Sequence, residues 1–147
     1  MAKNTPILRI DLAADTPAYE QIVSGLRAIL VSGEFEAGDQ LPTVRQLAVD
    51  LSVHHNTVAE AYRLLAAEGW LELKRGRGAI VLGRETPEPA AGSKEKFSRH
   101  LRELVAKAIT EGVPDSAIAS LMASQAKELV NRPATRNAEA ERKGEKR

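Results

Sequence analysis

The chain has 147 residues with a formal net charge of +1, 43% hydrophobic and 28% charged residues. That is enough apolar material for one or two small packed domains, and aromatics at 3% leave the cores to Leu, Val, Ile and Ala, which favours helix packing over a large sandwich. Absence of cysteine excludes disulfides and thiolate-held zinc, and the short apolar runs and polar Met-Ala-Lys-Asn start give no membrane span or signal core. A reducing cytosol suits this composition, so a cytoplasmic protein is expected.

In chain order, Leu8, Ile10 and Leu12 alternate with Arg9 and Asp11, which predicts a short half-buried strand over Pro6–Leu12. Thr16-Pro17 reads as a helix start, with the hydroxyl as cap and proline at the first helical position. Ile22, Val23, Leu26, Ile29 and Leu30 follow at helical spacing, and Gly33 ends that helix. Glu34–Leu41 reads as a turn region, with Gly38 inside it. Thr43-Val44-Arg45-Gln46 fits a capping box and opens a second helix of about two turns, with Val44, Leu47, Ala48 and Leu51 inward. After the tight connection Ser52-Val53-His54, a third helix is predicted from about His55 to Glu68. Val58, Ala61, Leu64 and Leu65 face inward, and Gly69 stops it. Trp70–Leu73 and Ala79–Leu82 are β-prone and flank Lys74-Arg75-Gly76-Arg77-Gly78, a hairpin tip.

Residues 84–92 read as a linker, with two prolines and small residues. From Ser93, Phe97, Leu101, Leu104, Val105, Ala108 and Ile109 recur at helical spacing up to Gly112. Pro114 restarts a helix whose apolar face is Ile118, Leu121, Met122, Leu129 and Val130. Residues 132–147 are charged and aperiodic, and a mobile tail is expected. The expected organisation is a domain over 1–83, a linker over 84–92, a two-helix region over 93–131 and the tail. The fold class is mainly α with a small β-wing: a winged helix-turn-helix followed by a short helical dimerisation domain.

Three helices and a hairpin carry a mechanism. A major groove about 12 Å wide admits one helix, whose first residues meet base edges. His55, Asn56 and Thr57 open the third helix and face outward when Val58, Ala61 and Leu65 face the core. Capping chemistry alone accounts equally well for Asn and Thr there. Thr43 caps the second helix. Arg45 sits in its first turn, where the helix dipole disfavours a cation; a phosphate partner would explain it, and a solvated surface arginine accounts for it equally well. Arg75, Gly76 and Arg77 form a cationic tip that also reads as a plain soluble turn.

Charge is distributed unevenly. Residues 1–92 hold nine Lys/Arg and twelve Asp/Glu, net −3, and residues 93–147 hold twelve and eight, net +4. Within the first part, Lys74, Arg75, Arg77 and Arg84 cluster against Glu72 alone. His54 and His55 are adjacent, so their side chains should diverge, and His100 is the one other histidine; no metal site is expected. No Ser-His-Asp or paired-carboxylate arrangement stands out, so neither catalysis nor a cofactor is expected.

From Gly33 to Val81 the chain resembles the GntR family of bacterial regulators. The resemblance runs through Gly33, Gly38, Leu41-Pro42-Thr43-Val44-Arg45-Gln46-Leu47-Ala48, Asn56-Thr57-Val58, Glu68-Gly69-Trp70-Leu71 and Arg75-Gly76-Arg77-Gly78. Ile10-Asp11, Pro17-Ala18-Tyr19-Glu20-Gln21-Ile22 and Ala61-Tyr62 resemble the YtrA-type branch. This implies DNA contacts at Arg45, His55, Asn56, Thr57 and the wing. It also implies a duplex operator as partner, repression, and nucleoid association when bound. Three positions depart from the family pattern. His54 replaces a small polar cap, His55 replaces a frequent arginine, and Ala59 stands where a cation is frequent. The YtrA-type branch carries a short helical region in place of a large sensing domain, and two helices do not readily enclose a large effector pocket. A homodimer is therefore expected through Phe97, Leu101, Leu104, Val105, Ile109, Ile118, Leu121 and Met122. The alternative from another class is a protein-interaction module that docks a partner on the winged helix.

Overall fold

The computed structural model describes residues 7–76, 78–83 and 88–130. Two compact units divide at Glu88 and Pro89. The first contains α1 (Ala18–Ser32), α2 (Val44–Leu51), α3 (His55–Ala67), β1 (Leu71–Lys74) and β2 (Gly78–Val81). The second contains α4 (Ser93–Thr110) and α5 (Asp115–Val130).

In the first unit the apolar faces converge on one core. Ile22, Leu26, Leu47, Val58, Ala61 and Leu65 are fully buried, and Leu30, Leu51, Trp70, Leu71, Ala79 and Val81 close around them. Each large aliphatic side chain removed from water contributes roughly 1.5–3 kcal/mol. The third helix buries Tyr62 where Leu64 was expected; Leu64 is 36% exposed. Position 62 follows Val58 by four residues and precedes Leu65 by three, so it lies on the inward stripe that position 64 leaves.

No strand forms over residues 7–12. Pro6 lies outside the described residues. Ile7, Leu8 and Ile10 pack on the core while Leu12 is 60% exposed. A strand needs a backbone neighbour, and here a side-chain amide takes that place. Asp11 N–H donates to Gln21 Oε1 at 2.8 Å, and Gln21 Nε2 donates back to the Asp11 carbonyl at 2.8 Å. The same Nε2 donates to the Thr16 carbonyl. Gly25 completes the seat: Leu8 Cδ1 occupies the space a Cβ at position 25 would need. A mid-helix glycine costs up to about 1 kcal/mol against alanine, and close approach of Leu8 is what it permits.

The cap of α1 also differs from expectation. Pro17 is the N-cap, with no side-chain cap bond, so the Thr16 hydroxyl does not serve there. Gly33 ends the helix at φ 80°, as its position predicts. At α2, Thr43 Oγ1 accepts from Gln46 N–H at 3.1 Å. The Gln46 side chain turns along the helix instead of back to the cap, and its Nε2 donates to Asp50 Oδ1 at 2.9 Å. Ser52 adopts the left-handed conformation, φ 55°, and turns the chain from α2 into α3.

The hairpin is antiparallel, with Leu71 opposite Val81 and Lys74 opposite Gly78. Trp70 precedes β1 rather than opening it, and Leu82 follows β2. The wing has a third participant that reads as turn in the sequence. Leu41 N–H donates to the Ala79 carbonyl at 2.9 Å, Val81 N–H to Asp39, and Gly38 N–H to Val81, with a bridge between Gln40 and Ile80. An ion pair binds the far side: Arg27 on α1 reaches both carboxylate oxygens of Glu68, at 2.6 and 3.3 Å.

In the second unit, Gly112 at φ 85° ends the α4 turn, and Val113 N–H donates to the Ala108 carbonyl at 3.0 Å. The Pro114 carbonyl then accepts from Ala117 and Ile118 as α5 begins. Neither helix contains a buried residue. Val105, Ile109, Ile118, Ala119 and Met122, with Asp115, line an open cleft of ≈ 460 Å³ between them. The expected tail, 132–147, and the first four of the nine expected linker residues, 84–87, lie outside the described residues.

Candidate nucleic-acid interface

The α2–turn–α3 unit leaves one polar rim outside the core. Thr43, Arg45, His54, His55 and Asn56 are exposed, and Thr57 is half-buried. Arg45 is the second residue of α2, whose first turn holds no acidic residue. Among the described residues no ion pair with Arg45 is found, unlike Arg27, Lys74 and Lys107. A cation beside a helix N-terminus has no favourable partner within its own unit.

One bond ties this rim to the core, and two more order the start of α3. Tyr62 is 1% exposed and donates its hydroxyl to the Pro42 carbonyl at 2.6 Å, one residue before the Thr43 cap. Burial pushes the Tyr62 phenol well above the usual tyrosine range. The start of α2 is thereby tied to the middle of α3. At α3 itself, His54 is the N-cap: its Nδ1 accepts from Asn56 N–H at 3.2 Å, and its carbonyl accepts from Thr57 N–H at 3.0 Å. A ring nitrogen thus does the work of the small polar cap that His54 replaces. The two histidine rings do not diverge. They stack with centroids 4.3 Å apart at 30°. The divergence expected of adjacent helical residues fails because His54 is extended, φ −70° and ψ 141°, and stands outside the helix.

On the wing, Arg75 and Gly76 are exposed at the turn, with Gly76 at φ 76°. Arg77 lies outside the described residues. Lys74 pairs with Glu72 at 3.6 Å across half-exposed surface, so part of its charge is met within the strand. Among the described residues no group of three or more potential metal ligands occurs, and no helix is long and apolar enough to cross a membrane.

The rim is legible in the sequence, and the bonds that hold it are less so. Tyr62 was detectable from its helical spacing. His54 stands at the cap position in the sequence, but that its ring nitrogen caps the helix was not detectable, because imidazole is an unusual cap.

The family of bacterial regulatory proteins named gntR matches residues 18–81, which span α1 to β2. The HTH-type transcriptional repressor YtrA of Bacillus subtilis is 34% identical over 107 residues, covering 73% of this chain and 82% of that protein. The chain belongs to the GntR family. Its likeness to the YtrA-type branch, carried in the sequence by Pro17–Ile22 and Ala61-Tyr62, agrees with that relative. A GntR family transcriptional regulator from Listeria monocytogenes is 27% identical, with a TM-score of 0.50, covering 78% of this chain and 98% of that one. A structure described as a transcriptional antiterminator from Listeria monocytogenes EGD-e reaches a TM-score of 0.63 at 21% identity, covering 87% and 96%; it shows the shared fold. The GntR chain is accordingly mainly helical with a small two-stranded wing, and it is a DNA-binding transcription regulator.

Proposed function

We propose that this GntR protein is a homodimeric repressor that binds a near-palindromic operator. Thr43, His55, Asn56 and Thr57 meet the major groove, Arg45 meets a phosphate beside it, and Arg75, Gly76 and Arg77 meet the flanking backbone or minor groove. The observation that carries the reading is the polar rim at the starts of α2 and α3, exposed while the opposite faces of both helices are sealed in the core. Docking of another protein on this rim would call for exposed apolar side chains, and the rim has polar and cationic ones.

The dimer rests on the second unit. Phe97, Leu104, Ile109 and Leu121 are 66, 64, 52 and 57% exposed, and Leu101, Val105, Ile118 and Met122 are half-buried. A helical hairpin with this much apolar surface gains by covering it, and a second copy of the same stripe is the self-complementary partner. Repression follows the role printed for the YtrA relative. The protein then works in the cytoplasm, at the nucleoid when bound.

Footprinting on duplexes selected from a random pool tests this. Two protected half-sites about one helical turn apart, related by two-fold symmetry, are expected. Binding with no sequence preference, or a footprint without symmetry, overturns it.

A further inference from the structure

The start of α3 holds an exposed imidazole in a fixed pose. His54 was not among the expected base-contacting residues, yet two independent contacts restrain its ring. The first is the cap bond, in which Nδ1 accepts from Asn56 N–H at 3.2 Å. The second is the stack on His55, with centroids 4.3 Å apart. The cap bond fixes chemistry as well as position. A neutral imidazole has one acceptor and one donor nitrogen, so Nδ1 as acceptor leaves the proton on Nε2. The exposed His54 ring therefore offers a donor of defined identity, immediately before the first turn of α3. A serine or threonine cap satisfies the same backbone group and offers no such ring.

Major-groove edges differ in what they offer a lone donor. Guanine presents two neighbouring acceptors, N7 and O6, with no donor or methyl on its own edge. Adenine places an amino donor next to N7, thymine a methyl next to O4, and cytosine a donor. A rigidly held N–H donor is best satisfied at guanine. Holding it before contact also avoids ordering an exposed side chain at the moment of binding.

We propose that His54 is a specificity-determining residue that selects guanine at one position of each half-site, through Nε2–H, with His55 as a positioning residue that holds its ring by stacking. This rests on the DNA-binding reading above and adds to it a residue and a base.

The test is selection of binding sites from a randomised duplex pool, with the full-length wild type, His54→Ser and His55→Ala. His54→Ser keeps the α3 cap, and circular dichroism confirms that each variant is folded. The wild type should select guanine at one position per half-site. His54→Ser should lose that preference alone, and His55→Ala should weaken it at the same position. Replacing that guanine with 7-deazaguanine, which lacks the N7 acceptor, should weaken wild-type binding about tenfold and leave His54→Ser unchanged. A site selected by His54→Ser that is identical to the wild-type site overturns the role of His54 while leaving the DNA-binding reading intact. A wild type that selects no site at all overturns both.

Discussion

The Tyr62 hydroxyl donates to a carbonyl twenty residues earlier and is sealed from water, so its ionisation is coupled to folding. Burial raises the folded-state pKa above that of the unfolded chain, where a tyrosine ionises at about 10. The native state therefore binds the proton more tightly. The resulting stability is fully present below about pH 10 and is lost as pH rises from there towards the folded-state value, by up to about 1.4 kcal/mol per pH unit. Urea unfolding at pH 7 and pH 11 should show this loss in the wild type. In Tyr62→Phe the loss should be smaller, together with a cost of about 1 kcal/mol at pH 7 for the missing hydrogen bond. Equal alkaline losses in both proteins would mean that Tyr62 is not the group responsible. Gly25 supports a second prediction at this scale. Gly25→Val puts two methyl groups where Leu8 sits and gains little helix propensity in return. A loss of about 1–2 kcal/mol is expected from the displaced leucine, and Leu8→Ala should remove most of the difference, because the two residues share one contact.

At the scale of elements, α4 and α5 face solvent with apolar residues that a dimer would cover. Leu104→Glu places a charge on that stripe, and sedimentation should then show monomers at concentrations where the wild type is dimeric. A wild type that sediments as a monomer throughout would remove the dimer reading. Most helices could be read from spacing, because Ile22, Leu26 and Leu30 or Val58, Ala61 and Leu65 mark one face with no other information. The elements that escaped were held by partners remote in sequence. The 7–12 segment looks like a strand by alternation, yet its hydrogen bonds go to the Gln21 side chain. The 38–41 segment looks like a turn by composition, yet it pairs with β2 forty residues on. The candidate site followed the same rule. Arg45, Asn56 and Thr57 stand out by type and place, whereas the His54 cap depends on a ring orientation that no local pattern records.

For the molecule as a whole, charge is the controlling quantity. The first 92 residues are net acidic, so attraction to DNA has to come from a few placed cations rather than a diffuse field. With three phosphate-contacting cations per protomer, among Arg45 and the wing, a dimer should show a log–log salt slope on the order of −5. Arg45→Ala should make that slope shallower by roughly 2 for the dimer and cost roughly 1–3 kcal/mol in operator affinity. Unchanged affinity and slope, measured by fluorescence anisotropy across a salt series, would remove Arg45 from the interface.

The pairing of residues 38–41 with β2 has a mechanical consequence. The chain that lies against the wing continues through Leu41 and Pro42 into the Thr43 cap, and Pro42 is itself held by Tyr62. Gly78, at φ 76°, lies close to both Leu41 and Thr43. The wing and the N-terminus of α2 are therefore joined by a short, braced strut. If both ends meet phosphates as proposed above, their contacts would engage as a chelate with a fixed bite. Two anchors with a set separation would then respond to the width of the groove between them, and so to duplex shape at base pairs that no side chain touches.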